Sequence, residues 1–550
     1  MTVTLTINGQ TIEASKDRSL FDQAEAIGID VPTSCRKQGK CKECMVEVVE
    51  GMGALSPRTE PENHLKGDFR LSCQAFVTAE SGLVRCHTMR RGTMRIERQA
   101  LGLPCSNGAL ELDPAVTRDG DRILIDGVEV DRCGGPIHGI AMDLGTTTVV
   151  LRLMDLENGE LLADTSFENP QRFGGSEVMS RIAYDTEHPG KLLMRTLAGY
   201  LSHAIEKFPV DPKTIYEMVV VGNSTMRDLF FRQNVHSIGQ SPYRSITEIE
   251  MANGGRTTTS LVQTGLRSLL PIHPKARVYG APIISGHVGA DAAACMLAVD
   301  LAHEERLVAA MDIGTNTELI VGNRHRILAA SCPAGPAFEG GAIACGMPAL
   351  EGAIEEVEID NSGDFRLRVI GDCKPEGICG SGLVDALSEL LRTGRMNAMG
   401  RFTDDAHRVM VYRGKERDED IFLLESDVNE LAQAKGANVA GLQVVFSTYG
   451  IDFDDVAVFY LAGGFGRHLK VEASKRIGLV PNLDSSKIVQ AGNAAIEGAT
   501  IALLSKRKRQ ELEELVRRVE HCRLETHPSF FDFFVEGCQF KPVELIPCAR

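Results

Sequence analysis

Two sets of side chains in this sequence are suited to chemistry. One is an aspartate, glycine and hydroxyl turn written twice, as Asp143-Leu144-Gly145-Thr146-Thr147 and as Asp312-Ile313-Gly314-Thr315-Asn316. Each copy follows an apolar run, which places its Asp at the end of a strand. Backbone N–H groups and Thr or Asn side chains at such a turn can hold phosphate oxygens while the carboxylate holds hydrated Mg²⁺. A single copy reads equally well as an ordinary hairpin with Gly at positive φ; the repetition points to two facing lobes. The other set is Cys35, Cys41 and Cys44 on one Gly-bearing loop, with Cys73 returning from far downstream. Three thiolates and a distant fourth suit an iron–sulfur cluster wrapped by backbone donors, whereas structural zinc usually takes two close pairs.

The surrounding pattern supplies the elements that hold these groups. Alternation at residues 3–7 and 11–14 around Asn8-Gly9 predicts a hairpin. Asp17 to Ile29 follows as a helix with Leu20, Ala24 and Ile27 on one face, and 45–49 as a strand. From about residue 137, strand, turn and helix signals alternate as in an α/β architecture. A strand at 149–154 closes at Asn158-Gly159. The strand 218–221 runs into Gly222-Asn223-Ser224-Thr225 and a helix whose N-terminus can face phosphate. Ser285 to Asp291 opens another helix, with His287 read as a packed or capping residue. After a small-residue loop at 331–341, Gly377 to Gly382 leads into a helix at 383–391. The strand 456–461 ends at Ala462-Gly463-Gly464-Phe465-Gly466, where glycines let a flat ring approach the backbone, and a helix is expected over 491–504.

Residues 89–136 read as a linker. Arg90, Arg91, Arg95 and Arg98 against Glu97 make it a basic, solvated tether, with weak strands near 109–112 and 122–128. A cluster on such an arm could visit two sites. The net charge of −16 on 550 residues argues against general nucleic-acid binding. No 18-residue apolar run marks a membrane span, and the alternating N-terminus shows no signal peptide. Fifteen scattered cysteines suit reduced thiols and a cytoplasmic setting. Cys86, Cys522, Cys538 and Cys548 read as plain thiols, and Lys506 to Arg509 as the solvated face of a helix.

Residues 1–88 resemble a [2Fe–2S] ferredoxin of β-grasp fold, with a C-x5-C-x2-C loop like the adrenodoxin type. That resemblance implies that Cys35 and Cys41 hold one iron and Cys44 and Cys73 the other. The larger region resembles the superfamily of acetate and sugar kinases, heat-shock chaperones and actin, in which two ribonuclease-H-like lobes face each other across ATP. Carried over, Asp143 and Asp312 face Mg²⁺; Gly145, Thr146, Thr147, Gly314, Thr315 and Asn316 hold phosphates; Gly463, Gly464 and Phe465 hold adenosine. No Walker A sequence competes.

Joined in one chain, these parts resemble the reductive activators of corrinoid proteins. The likeness runs through Asn169-Pro170-Gln171, Gly222 to Thr225, Val288-Gly289-Ala290-Asp291, Asp312 to Thr317 and Gly377 to Gly382, with Gly175-Ser176-Glu177 departing from an expected Gly-Ala-Asp. It implies an α/β chain with an α+β N-terminal domain: a ferredoxin domain at 1–88, a linker at 89–136 and actin-like ATPase lobes at 137–305 and 306–550. It also implies a cytoplasmic homodimer that needs no nucleic acid or membrane. The implied function is ATP-dependent: an electron from an external low-potential donor passes through the [2Fe–2S] cluster to the cobalt(II) corrinoid protein of a methyltransferase system, restoring cobalt(I). Two other classes are a phosphotransferase with an accessory cluster, which requires a sugar-sized pocket beside Asp312, and a non-enzymatic ATP- and redox-sensing module, which binds ATP tightly without turnover.

Overall fold

A computed structural model describes residues 2–16, 18–89, 103, 110–403, 407–415, 419–464 and 466–546. Val3, Leu5 and Ile7 alternate with threonines, so β1 (Val3–Ile7) buries one face. Asn8 and Gly9 both take positive φ, the turn that matches strand twist, and return the chain as β2 (Gln10–Glu13). The helix Leu20–Ala26 starts in a capping box between Ser19 and Asp22. With β3 (Met45–Glu50), β4 (Phe69–Leu71) and β5 (Gly82–Thr88) the sheet runs β2-β1-β5-β3-β4, and β1 and β5 are parallel. This is the expected β-grasp. Arg70 is buried beside β3, its Nε 2.7 Å from Glu62 Oε1, and Glu62 also accepts the Leu71 N–H. These added hydrogen bonds make such a buried ion pair tolerable.

Two weak strands were expected in the connector; residues 110–112 form none, while the stretch 122–128 resolves into β7 (Arg122–Ile125) and β8 (Val128–Arg132) around the turn Asp126-Gly127, preceded by β6 (Val116–Asp119), so that three strands form a meander. The turn was legible, but the strands are charged and only Val116 and Ile123 in them are buried, so the alternation that reveals a strand is faint. The basic stretch Arg90, Arg91, Arg95, Glu97 and Arg98 lies outside the described residues.

Two sheets of similar plan follow. The first comprises β9 (His138–Leu144), β10 (Thr148–Asp155), β11 (Leu161–Glu168), β12 (Ile215–Val221), β13 (Leu261–Thr264) and β14 (Arg277–Gly280), in the order β11-β10-β9-β12-β14-β13. The second begins with β15 (Val308–Asp312), β16 (Thr317–Gly322) and β17 (Ile327–Cys332). A small sheet of β18 (Ala353–Ile359), β19 (Phe365–Val369) and β20 (Gly377–Ile378) and a hairpin of β21 (Arg408–Tyr412) and β22 (Ile421–Leu424) are inserted before β23 (Val458–Ala462), β24 (Ile488–Gly492) and β25 (Val519–His521) complete it. Its order is β24-β23-β15-β16-β17-β25. In each, a central strand pairs antiparallel with the next strand and parallel with a later one: β9 with β10 and β12, β15 with β16 and β23. The two Asp-x-Gly turns are therefore hairpin turns and, at the same time, matching loops on matching lobes. Neither Gly145 nor Gly314 adopts positive φ. Gly145 is instead constrained by space, since a Cβ there would lie 2.7 Å from the Thr148 carbonyl oxygen.

The lobes share a third core built on the helices Ala290–Ala298 and Ala494–Leu504, rich in alanine. Small side chains bring the two backbones together, and a Cβ on Gly498 would lie 2.0 Å from the Ala294 carbonyl oxygen. Gly498→Val is therefore expected to force the helices apart and cost about 3 kcal/mol, the upper end for overpacking. Thermal unfolding of the purified variant measures it.

The helix Lys506–Leu515 differs from its expected solvated character. Arg509 is buried, and its Nη1 lies 2.8 Å from Glu217 Oε1 in β12, while Glu513 accepts the Tyr279 hydroxyl hydrogen at 2.7 Å. Local charge pairing cannot reveal such partners on the other lobe. Among the described residues no helix is long and apolar enough to cross a membrane.

Candidate functional site

The loop from Cys35 to Cys44 winds through positive φ at Arg36, Lys37 and Lys42, which turns its N–H groups inward. Burial alone would raise the Cys35 thiol, but N–H groups of Cys41, Lys40 and Gln38 directed at its sulfur hold it below the usual range. Cys41 receives N–H groups of Glu43 and Ser34, and Cys73 that of Gly39. The Gln74 amide also reaches Cys73 Sγ at 3.4 Å. Cys35 lies within hydrogen-bond reach of Cys41, and Cys44 of Cys73. Four sulfurs gathered in two pairs and met by backbone donors fit the ligand set of a [2Fe–2S] cluster. Cys86 stands apart in β5, where burial pushes its thiol up to about 12.

The ferredoxin domain is docked on the first lobe. Tyr200 of the helix Leu192–Glu206 donates its hydroxyl to the Glu43 carbonyl at 2.8 Å, and His203 Nε2 is 3.5 Å from the Glu43 carboxylate. Burial opposes ionisation of Glu43, yet bonds from His203 and Ser34 hold its carboxyl below the usual range. Tyr184 donates to the His64 carbonyl at 3.0 Å, and Arg172 Nη2 donates to Glu47 Oε1 at 2.8 Å. The tether reading did not anticipate this packing. The contacting residues belong to two units, and nothing local to either marks them.

Between the lobes lies a cavity of about 260 Å³. It is lined by Asp143, Gly145, Thr146, Thr147, Asp312, Gly314, Thr315, Asn316, Gly463 and Gly464, so these expected residues converge on one cleft. Phe465 lies outside the described residues. Gly463 has φ +99°, and a Cβ there would strike the Ile313 carbonyl oxygen at 2.4 Å and Asp312 Oδ1 at 2.8 Å, which is why this turn can close on the second Asp loop.

Asp143 Oδ2 accepts from Asn493 Nδ2 at 2.8 Å, and Asp312 Oδ2 from the Cys295 thiol at 3.1 Å. Desolvation pushes the Asp143 carboxyl up to about 7, against the pull of the Asn493 bond and with help from Asp312. Asp312 is raised by the same loss of solvent. Asp291, at the start of the helix Ala290–Ala298, and Glu318 of β16 join them in the cavity wall and are raised as well, first by desolvation and then by the neighbouring carboxylates. Among the described residues no lysine or arginine forms an ion pair with any of these four. A desolvated group of carboxylates without a protein cation has the donor chemistry of a hard divalent metal site.

Asn169 braces the first loop, donating Nδ2 to the Gly145 carbonyl at 2.8 Å, and its own N–H meets the Thr147 carbonyl at 2.6 Å. Asn223 caps the helix Ser224–Phe230 and donates to the Thr146 hydroxyl at 2.9 Å. The turn after β12 thus buttresses the first loop as well as facing the cleft. His287 packs its ring beside Tyr243, as a packed residue would. Sequence reasoning did not single out Glu318, Glu339, Cys295 or Asn493 as site residues. Glu318 alone had a signal, because it sits two places beyond the second turn on a strand with one face in the cleft.

Fold and site together define a β-grasp ferredoxin joined to a two-lobed domain of the acetate and sugar kinase, heat-shock chaperone and actin class. The family model for the C-terminal domain of RACo, the ASKHA domain, matches residues 306–548; that for the RACo middle region matches 138–304; and that for a 2Fe-2S iron-sulfur cluster binding domain matches 3–78. The chain is 30% identical to the corrinoid activation enzyme RamQ of Eubacterium limosum over 96% of its own length and 98% of that protein's. It is 26% identical to a [Co(II) methylated amine-specific corrinoid protein] reductase of Methanosarcina barkeri, covering 72% and 76%. A solved reductive activator for corrinoid, iron-sulfur protein superposes with a TM-score of 0.72 at 25% identity, each chain covered in full. The chain belongs to the RACo family of corrinoid activation enzymes.

Proposed function

We propose that this protein reductively activates a corrinoid protein in an ATP-dependent reaction, reducing its cobalt(II) to cobalt(I) by one electron. The observation that carries this reading is the joining, in one docked chain, of four N–H-wrapped cysteines with a carboxylate-lined cleft between paired Asp-x-Gly loops. Cys35, Cys41, Cys44 and Cys73 hold a [2Fe–2S] cluster, which when bound supplies a one-electron carrier. Asp143 and Asp312 hold Mg²⁺. Gly145, Thr146, Thr147, Gly314, Thr315 and Asn316 hold phosphates, and Gly463 and Gly464 adenosine. The units are taken as 1–88, 89–136, 137–305 and 306–550, in a cytoplasmic homodimer fed by an external low-potential donor.

The need for ATP follows from the potential gap. For one electron roughly 59 mV is tenfold in equilibrium, so a gap of a few hundred millivolts requires several kcal/mol. Nucleotide supplies this only through different affinity for two lobe arrangements. The small-residue crossing at Gly498 gives the lobes a surface on which to move, and Tyr200, through Glu43, carries the first lobe's position to the cluster loop, with Arg172 holding Glu47 of β3 just beyond it. In a reconstituted mixture with a cobalt(II) corrinoid protein and reductant, ATP is expected to raise the rate and extent of cobalt(I) formation seen by absorbance. The same time course with and without ATP would sink the reading.

A further inference from the structure

The loop after β17 makes a short turn, Ala337–Glu339, that carries Glu339 across the cleft. Its Oε2 accepts hydroxyl hydrogens from Thr147 at 2.7 Å and Thr315 at 2.5 Å, one threonine from each Asp-x-Gly loop. The two hydroxyl oxygens are themselves 3.0 Å apart. A threonine hydroxyl has one hydrogen to donate. With both given to Glu339, neither is left for a phosphate oxygen.

A third group points the same way. Arg181, on the helix Val178–Glu187, is fully buried; desolvation raises the Glu339 carboxyl above the usual range, and the bonds from Thr315 and Thr147 and then the charge of Arg181 pull against that rise. Its Nε donates to the Gly175 carbonyl at 2.9 Å and its Nη1 lies 3.1 Å from Met226 Sδ, but Nη2 has no partner and no carboxylate pairs with the guanidinium among the described residues. A buried cation with an unused donor, close enough to act on the Glu339 carboxylate through its charge, adds to the chemistry of an anion site.

We propose that Glu339 is a built-in substitute for the terminal phosphate of a nucleotide: it draws Thr147 and Thr315 together across the cleft, and an incoming triphosphate must displace it to reach both hydroxyls. This rests on the nucleotide reading of the cleft. Its consequence is that binding is coupled to withdrawal of the loop bearing Glu339, so occupancy of the phosphate site is felt in the second lobe beyond the Asp loops. The protein's own carboxylate also lowers its apparent affinity for nucleotide, because only the fraction of molecules with Glu339 withdrawn can bind.

The test is calorimetric titration of the full, cluster-loaded chain with a non-hydrolysable ATP analogue and Mg²⁺, for the wild type, Glu339→Gln and Glu339→Ala. Glu339→Ala is expected to bind about tenfold more tightly, with Glu339→Gln, which keeps an acceptor oxygen, between the two. Without nucleotide Glu339→Ala should also unfold at a lower temperature than the wild type, and the gap should close when the analogue is saturating. A merely structural residue would lower the unfolding temperature without tightening binding, and that outcome, like unchanged or weaker binding, overturns the proposal. A wild type that shows its cluster signal but takes up no analogue overturns the nucleotide reading instead.

Discussion

Cys44→Ser is expected to yield protein whose iron and acid-labile sulfide fall to background and whose dithionite-reduced form shows no spin-half signal in low-temperature electron paramagnetic resonance. Cys44 is fully buried and within hydrogen-bond reach of Cys73, so no neighbouring thiol can take its place. A serine oxygen, harder and less readily deprotonated than a thiolate, is a poor substitute in a site built for sulfur. Cobalt(I) formation should stop, while binding of ATP at the cleft between the lobes persists. The matched control is Cys86→Ala, which removes a buried thiol from the same sheet and should leave the signal intact, at a stability cost of about 1 kcal/mol for one small side chain. A full signal in Cys44→Ser, or its loss in Cys86→Ala, would show that the four cysteines are wrongly chosen.

Asp312→Asn should do the reverse: leave the cluster signal unchanged and remove the dependence on ATP. The substitution keeps shape and an oxygen able to accept from Cys295, but deletes one negative charge from the group formed with Asp143, Asp291 and Glu318. With Asp312 holding Mg²⁺ as proposed, loss of its charge is worth several kcal/mol in the transition state, so ATP hydrolysis should fall about a hundredfold or more. The pH dependence has a definite sign. Desolvation sets the Asp143 carboxyl at about 7, well above an ordinary aspartate, so it is ionised above that pH and neutral below it. Metal binding needs the ionised form and releases the proton. At limiting Mg²⁺ and nucleotide, wild-type affinity should therefore weaken as pH falls through about 7. Titrations from about pH 6 to 8 check this, and affinity that rises on acidification would contradict it.

Much of this protein was determined by sequence alone, because the features concerned are local. Asn8-Gly9 demands two positive φ values and so a tight hairpin; the spacing of Cys35, Cys41 and Cys44 puts three thiolates on one loop; and the two Asp-x-Gly-Thr stretches reveal a duplicated strand and turn, with Gly463-Gly464 marking a third turn that lines the same cleft. The matching five-strand cores of the two lobes follow from that duplication, while the sixth strands, β13 and β25, lie on opposite edges. Tertiary structure decided the rest, wherever two distant segments meet. Glu339 reaches Thr147 only because the lobes face each other, and Asn493 reaches Asp143 only because its helix crosses between them. Arg509 looks like part of a solvated basic run until β12 supplies Glu217. The docking of Tyr200 on the cluster loop and of Arg172 on β3 has no local signature either, since a side chain's partner across an interface is set by packing and not by its neighbours in sequence. The charged meander at 116–132 was hidden for a different reason: a sheet that buries only Val116 and Ile123 imposes too little of the apolar alternation by which strands are read.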